Sequence, residues 1–180
     1  MAISTINNSG LAAGTARANF GAGAVLQVVS TFFTSQASST SATPANVSGF
    51  AASITPASSS NKILVTVFIS FGFANDAYPY ALLTRNGTSI FTGTGATGAQ
   101  VNTFASGTGT NASSSTPWRY TPVTKMVLDS PNTTSELTYQ IQLASPYQGL
   151  AGYINRQSAT NNDSYIQFPG SSITLMEIAA

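Results

Sequence analysis

Residues Lys62–Phe73 alternate with a period of two: Ile63, Val65, Val67, Ile69, Phe71 and Phe73 hold the odd positions, and Thr66, Ser70 and Gly72 lie among the even ones. Successive side chains of a strand point to opposite faces, so this pattern predicts a central strand with one buried face. Leu64 and Phe68 interrupt the polar side of the pattern and imply that part of the second face is covered too. Leu137, Tyr139, Ile141 and Leu143 alternate with Thr138, Gln140 and Gln142, which predicts a second strand with one face buried and the other wet. Further strand candidates are Val25–Phe33, Val47–Thr55, Tyr80–Arg85, Ser89–Thr92, Thr121–Leu128, Leu150–Arg156, Ser164–Phe168 and Ser171–Ile178.

The turns between these runs have a physical reading. Asn86-Gly87 is favoured in two-residue type I′ hairpins, where both residues need positive φ, and it joins Tyr80–Arg85 to the run that follows. Asp129-Ser130-Pro131-Asn132 turns the chain before Leu137, with Asp129 able to hydrogen-bond the backbone and Pro131 fixing φ. Many short strands with no persuasive helix among them predict an all-β sandwich or barrel. Two low-complexity stretches, Ser35–Ala45 and Gly93–Thr116, read as surface loops too polar to pack. Residues 1–24 carry only Ile3, Ile6, Leu11 and Phe20 as large apolar side chains and read as a flexible arm; Ser9 and Gly21 would bound a short helix over Leu11–Phe20. One domain from Val25 to the end is the organisation predicted for this length.

Composition narrows the chemistry. Eleven of 180 residues are charged, for a net charge of +1, whereas Ser, Thr and Asn together fill 62 positions. A chain this neutral has no electrostatic footprint for phosphate backbones, so nucleic acid is not an expected partner. With no Cys and no His, thiolate and most other transition-metal sites, thiol nucleophiles and Ser-His-Asp triads are excluded. No apolar run reaches the roughly 20 residues of a membrane span, and the first residues lack the regions of a signal peptide. A protein made in a cytoplasm, without a membrane partner, is the expectation.

Literal motif matches carry little. Gly93-Thr94-Gly95-Ala96-Thr97-Gly98 fits GxGxxG, but no apolar-striped helix or acidic residue follows it as a dinucleotide site requires. Ser59-Ser60-Asn61-Lys62 fits SxxK, but Lys62 opens a strand rather than a helix. Asn161-Asn162-Asp163 is a turn before it is a calcium site, which needs six to eight oxygens. Neither a catalytic site nor a cofactor is expected.

Open sheets must protect their unpaired edges, commonly with Lys or Pro. Two lysines are few guards, so burial of residual edges against identical subunits, and hence an obligate oligomer, is expected. Scarce charge makes large self-contacts inexpensive to desolvate. Aromatics outside the strongest strand pattern, Tyr78, Tyr80, Tyr147, Tyr153, Tyr165 and Phe168, are the candidate interface residues.

Five stretches together resemble a family of tailed-bacteriophage virion proteins, chiefly from phages of cyanobacteria and marine bacteria: residues 16–30 (ARANFGAGAVLQVVS), 60–65 (SNKILV), 128–139 (LDSPNTTSELTY), 153–156 (YINR) and 171–178 (SSITLMEI). The likeness spans about residues 16–178, and its motifs are structural. It implies a jelly-roll β-sandwich with a short extended N-terminal arm, similar to tumour-necrosis-factor and C1q heads, assembled as a homotrimer. The implied function is non-enzymatic: a capsid decoration, or cement, protein whose knobs dock on the major capsid protein of the phage head. Without a long shaft ahead of the domain, a knob on the capsid surface of the virion is preferred to the alternative, a tail-fibre protein that binds a host surface glycan or protein receptor. The docking candidates on the arm are Ile3, Ile6, Leu11, Arg17 and Phe20.

Overall fold

The computed structural model describes residues 21–73, 77–107, 119–147, 149–159, 162, 164 and 166–180. Within them the chain forms eleven strands: β1 (Val25–Phe33), β2 (Ala37–Ser39), β3 (Ala45–Ile54), β4 (Lys62–Phe73), β5 (Tyr80–Arg85), β6 (Thr88–Ile90), β7 (Ala105–Ser106), β8 (Tyr120–Asp129), β9 (Leu137–Ala144), β10 (Gly152–Ile154) and β11 (Ser171–Ile178). They build two antiparallel sheets. Sheet I follows β1-β11-β4-β10-β2, with β8 on the other side of β4, and sheet II follows β3-β9-β5-β6, with β7 also on β5.

The pairing is nested around the β5–β6 hairpin: β4 pairs with β8, β3 with β9 and β1 with β11. One long antiparallel ribbon has rolled over itself so that its layers fall alternately into the two sheets, giving β1-β11-β4-β8 and β3-β9-β5-β6. That order is a jelly-roll-like β-sandwich: the all-β pattern left sandwich or barrel open, and the resemblance implied the jelly roll. The hairpin turns at Asn86 and Gly87, whose φ values of 49° and 82° are both positive as a type I′ turn requires.

β4 is the spine of sheet I. Its inward residues Ile63, Val65, Val67, Ile69 and Phe71 are at most 1% exposed. They meet Leu137, Tyr139, Ile141 and Leu143 of β9, Ala81 and Leu83 of β5, and Ile173 and Leu175 of β11 in one continuous core. Phe33 of β1 stacks on Phe50 of β3 at 4.9 Å, where the two sheets close along one side. Along one edge β4 is shared: β11 pairs with its first half and β10 with its last three residues. Between them the Ser70 N–H donates to Ser171 Oγ (3.0 Å), and the Ser70 carbonyl accepts from the Asn155 N–H (3.0 Å), so no backbone group is stranded at the junction. Asn155 holds φ at 61° and secures it by donating through Nδ2 to the Phe33 and Ser35 carbonyls.

The structure corrects several sequence expectations. The stretch at residues 35–45, read as unpackable loop, contains β2, which pairs with β10. The stretch at residues 93–116 contains β7, and Phe104 and Ala105 there are buried in the core. Backbone pairing made both segments strands in spite of their polarity. The strand expected at Ser164–Phe168 is absent among the described residues, with Ser164 in a turn and residues 166–168 irregular. Asp129 does not cap its turn through the backbone, because both carboxylate oxygens accept from Arg85 Nη1 at 2.7 Å and one also accepts from the Tyr139 hydroxyl at 2.6 Å. Gly23 and Ala24, counted with the arm, exchange backbone hydrogen bonds with Ala179 and extend sheet I. The helix considered over Leu11–Phe20 lies outside the described residues.

Candidate assembly surface

Residues paired across antiparallel strands share a face, so the register of sheet I dictates what its outer surface presents. One row runs Leu128, Leu64, Met176, Val28 across β8, β4, β11 and β1. The next runs Met126, Thr66, Thr174, Ser30, and the third Thr124, Phe68, Ser172, Phe32. No residue in these twelve positions carries a charge. Met126 is 65% exposed, Phe32 68%, Val28 55% and Leu128 48%, while Leu64, Phe68 and Met176 are half-buried between them. Seven of the twelve are apolar and five are Ser or Thr, and the exposed Lys62, opposite Ile178, bounds the patch beyond Leu64; exposed apolar patches are a feature of interaction surfaces.

At the Gly72 end the chain covers this face itself. The backbone of Arg156 and Gln157 lies so close over Gly72 that a Cβ there would collide with the Arg156 carbonyl oxygen. Tyr120 and Tyr153 flank Gly72 across the sheet, the Arg156 guanidinium stacks 4.6 Å from the Tyr153 ring, and the Tyr120 hydroxyl donates to the Gln167 carbonyl. Toward Leu64 no such crossing occurs among the described residues, and the side chains stand open.

The outer surface of sheet II is of opposite character. Its rows are Ser53 and Thr138; Ala51, Gln140, Thr84 and Ser89; and Asn46, Gln142 and Leu82. Ser53 and Thr138 share a hydroxyl hydrogen bond of 2.8 Å, and Gln142 Nε2 donates to Asn46 Oδ1 at 2.9 Å. Gln140 Nε2 donates to the Val47 carbonyl, and the buried Thr84 hydroxyl donates to the Gln140 carbonyl.

The sheet edges are guarded. Ser70 turns its N–H and carbonyl toward β10 and β11, so the opposed Ser70–Pro122 pair is a non-hydrogen-bonded one and Pro122 presents its donor-free nitrogen to the open side of β8. Lys125, on the same strand, is exposed in the inward register of Val123 and Val127. β1 and β3 carry register shifts at Val25/Gln27 and Asn46/Ala51, and β2, β6 and β7 have only two or three residues each. These are the devices that block strand addition.

The predicted interface residues do not form one cluster. Tyr78 and Tyr147, 38% and 42% exposed, pack edge to face at 5.4 Å beyond the end of β4. Tyr80 is 5% exposed and donates its hydroxyl to the Ala42 carbonyl, on the same side of β5 as Leu82 and Thr84. Tyr153 sits under Arg156, and Phe168 is 61% exposed on the β10–β11 connection. Tyr165 and the docking candidates Ile3, Ile6, Leu11, Arg17 and Phe20 lie outside the described residues. Sequence reasoning missed Val28, Phe32, Met126, Leu128 and Met176; its signal was the pair Leu64 and Phe68, the apolar interruptions of an otherwise polar register.

Two buried polar clusters tie the sandwich together. Arg85, Asp129 and Tyr139 join sheets I and II at one end. Its hydrogen bond to Asp129 pushes the Arg85 guanidinium above its ordinary range, and burial, helped by Asp129, pushes the Tyr139 phenol far above its ordinary value. Glu177, fully buried, accepts from Gln27 Nε2, the Ala57 N–H and Asn61 Nδ2, each at 2.6 Å. Every carboxylate oxygen in these clusters accepts from a protein donor, so each cluster acts as a clamp. Among the described residues no group of three or more His, Cys, Asp and Glu is placed to hold a metal, and no helix is long and apolar enough to cross a membrane. A groove of about 430 Å³ lies within the Gly93–Thr103 loop, lined by Thr94, Gln100, Val101 and Asn102 among others. No known family model matches the chain, and no curated protein matches it.

Proposed function

We propose that this protein is a non-enzymatic structural component of a phage virion, a decoration protein that works as a homotrimeric knob on the capsid surface. One observation carries the assembly part of the reading: a sheet face with seven apolar side chains among its twelve positions stands open on a molecule whose other sheet face is mostly polar. A solitary soluble domain gains nothing from such a face, whereas a unit built from copies of itself needs one. The virion assignment rests on the resemblance over residues 16–178, and the jelly-roll-like order of the strands supports it. In this reading the segment ahead of Gly21 docks on the major capsid protein, and three such segments on one trimer bind by avidity.

A second reading keeps the trimer but sets it on the tail, where the groove at Gly93–Thr103 with its Thr, Gln and Asn groups would meet a host glycan or protein. Native mass measurement of the purified chain tests the assembly state, and a folded monomer or dimer overturns the trimer. Immunogold imaging of virions tests the location. Many copies over the head support decoration, a few at the tail support the fibre reading, and absence from the particle overturns both.

A further inference from the structure

We propose that Asn86 is a deamidation site closed by its own turn: the folded hairpin keeps the amide, and opening of the β5–β6 tip converts it to aspartate or isoaspartate. Asn86-Gly87 is the one Asn-Gly pair in the chain, and both residues are exposed. A glycine after asparagine leaves the next backbone nitrogen unshielded, and a Cβ built on Gly87 would meet nothing within 4 Å. Water reaches the pair freely. The reaction needs no other group. The Gly87 nitrogen attacks Asn86 Cγ, the new C–N bond closes a cyclic imide, and the side-chain nitrogen leaves as ammonia with the proton that Gly87 gives up. One water then opens the imide at either carbonyl. One opening leaves aspartate, and the other routes the backbone through Cβ as isoaspartate.

Two features of the fold oppose ring closure. The Thr138 N–H donates to Asn86 Oδ1 at 2.8 Å, and the Asn86 N–H donates to the Thr138 carbonyl at 2.9 Å, so the side chain and backbone of Asn86 are both fastened to β9. The turn itself is the second obstacle. The first central residue of a type I′ turn has ψ near +30°, which sets the following nitrogen roughly 150° from Cβ about the Cα–C bond. Ring closure needs that nitrogen beside Cβ. Asn86 reaches such a ψ only by leaving the turn, and with it the Arg85–Thr88 pair that closes the hairpin. The sequence thus supplies a reactive pair and the fold holds it in an unreactive rotation.

The product has a structural consequence. Isoaspartate adds one backbone atom between Arg85 and Thr88, so the two-residue turn cannot close in the same register. Arg85 also pairs with Tyr139 and bonds to Asp129, and the added length therefore reaches the clamp between the sheets. The modification marks a tip that has opened and hinders its closing again.

The test incubates the full chain, native and in concentrated urea, in the same mildly alkaline buffer, and follows by peptide fragment mass the conversion of the amide at residue 86 to an acid. The native chain should convert at least about tenfold more slowly, the protection that a local opening equilibrium confers. Equal rates overturn the lock, and an amide that persists in urea while other asparagines convert overturns the site. A second measurement removes the urea from the converted chain and compares thermal unfolding with the parent and with Asn86→Asp, which keeps the backbone length and an acceptor for the Thr138 N–H. The isoaspartate chain should melt below both, and a melting temperature equal to theirs overturns the effect on register.

Discussion

The outer faces of the two sheets are built on the same alternating pattern yet end in opposite chemistry. On sheet II the outward positions of β9 are Thr138, Gln140 and Gln142, which bond to Ser53, the Val47 carbonyl and Asn46. On sheet I the outward positions of β4 and β8 include Leu64, Phe68, Met126 and Leu128. Inward positions are alike on both sheets, because the core makes the same demand of each. The difference therefore lies in what each face presents outside the sandwich: hydrogen-bonding groups on sheet II, and mostly apolar side chains on sheet I.

The contrast breaks most severely with Gly72→Ala. A Cβ there meets the Arg156 backbone and must push the covering segment off the sheet, a loss of about 4 kcal/mol or more that thermal unfolding will register. An unchanged melting temperature would mean that the covered end needs no cover. Next comes Asp129→Ala, which strands Arg85 and the Tyr139 hydroxyl between the sheets. Because the Arg85 side chain is 29% exposed, water relieves part of the cost, and about 2–3 kcal/mol is expected from denaturant titration, below the full range for a buried pair.

Tyr139→Phe has a smaller effect, about 1–2 kcal/mol at neutral pH, and it changes the alkaline behaviour. The Tyr139 phenol is held well above its ordinary value of 10.0, so above that pH the unfolded chain releases a proton that the folded chain retains. The unfolded state then binds fewer protons, and stability falls as pH rises. The Phe variant should lose that share of the decline; equal slopes for both proteins would contradict the role of burial. The smallest effect belongs to the wet face. Gln142→Ala should cost no more than about 0.5 kcal/mol and leave the native mass unchanged, which sharpens the difference from Met126 and Leu128.

Much of the sandwich was legible because its strongest strands announce themselves locally. β1, β4, β5 and β11 begin and end where their patterns do, since each is bounded by small or turn-forming residues. The Asn86-Gly87 turn was equally direct. β2 and β7 were not legible: three and two residues of Ala and Ser become strands only because β10 and β5 offer them open backbone groups, which is information from distant parts of the chain. The candidate surface was half legible. Leu64 and Phe68 signalled a covered second face, but the rows that include Val28 and Met126 exist only once register is fixed across four strands. Aromatic character pointed instead mainly to tyrosines, and one of them, Tyr80, is buried.

The hydrogen bonds from Gly23 to the Ala179 carbonyl and from Ala179 to the Ala24 carbonyl fasten the first and last described stretches side by side. Anything joined ahead of residue 21 or after residue 180 sets out from one corner of the molecule. A short linker across that corner would allow the gene to be rearranged so that new ends open at the Asn86-Gly87 tip, at the cost of one peptide bond there and none of the interior.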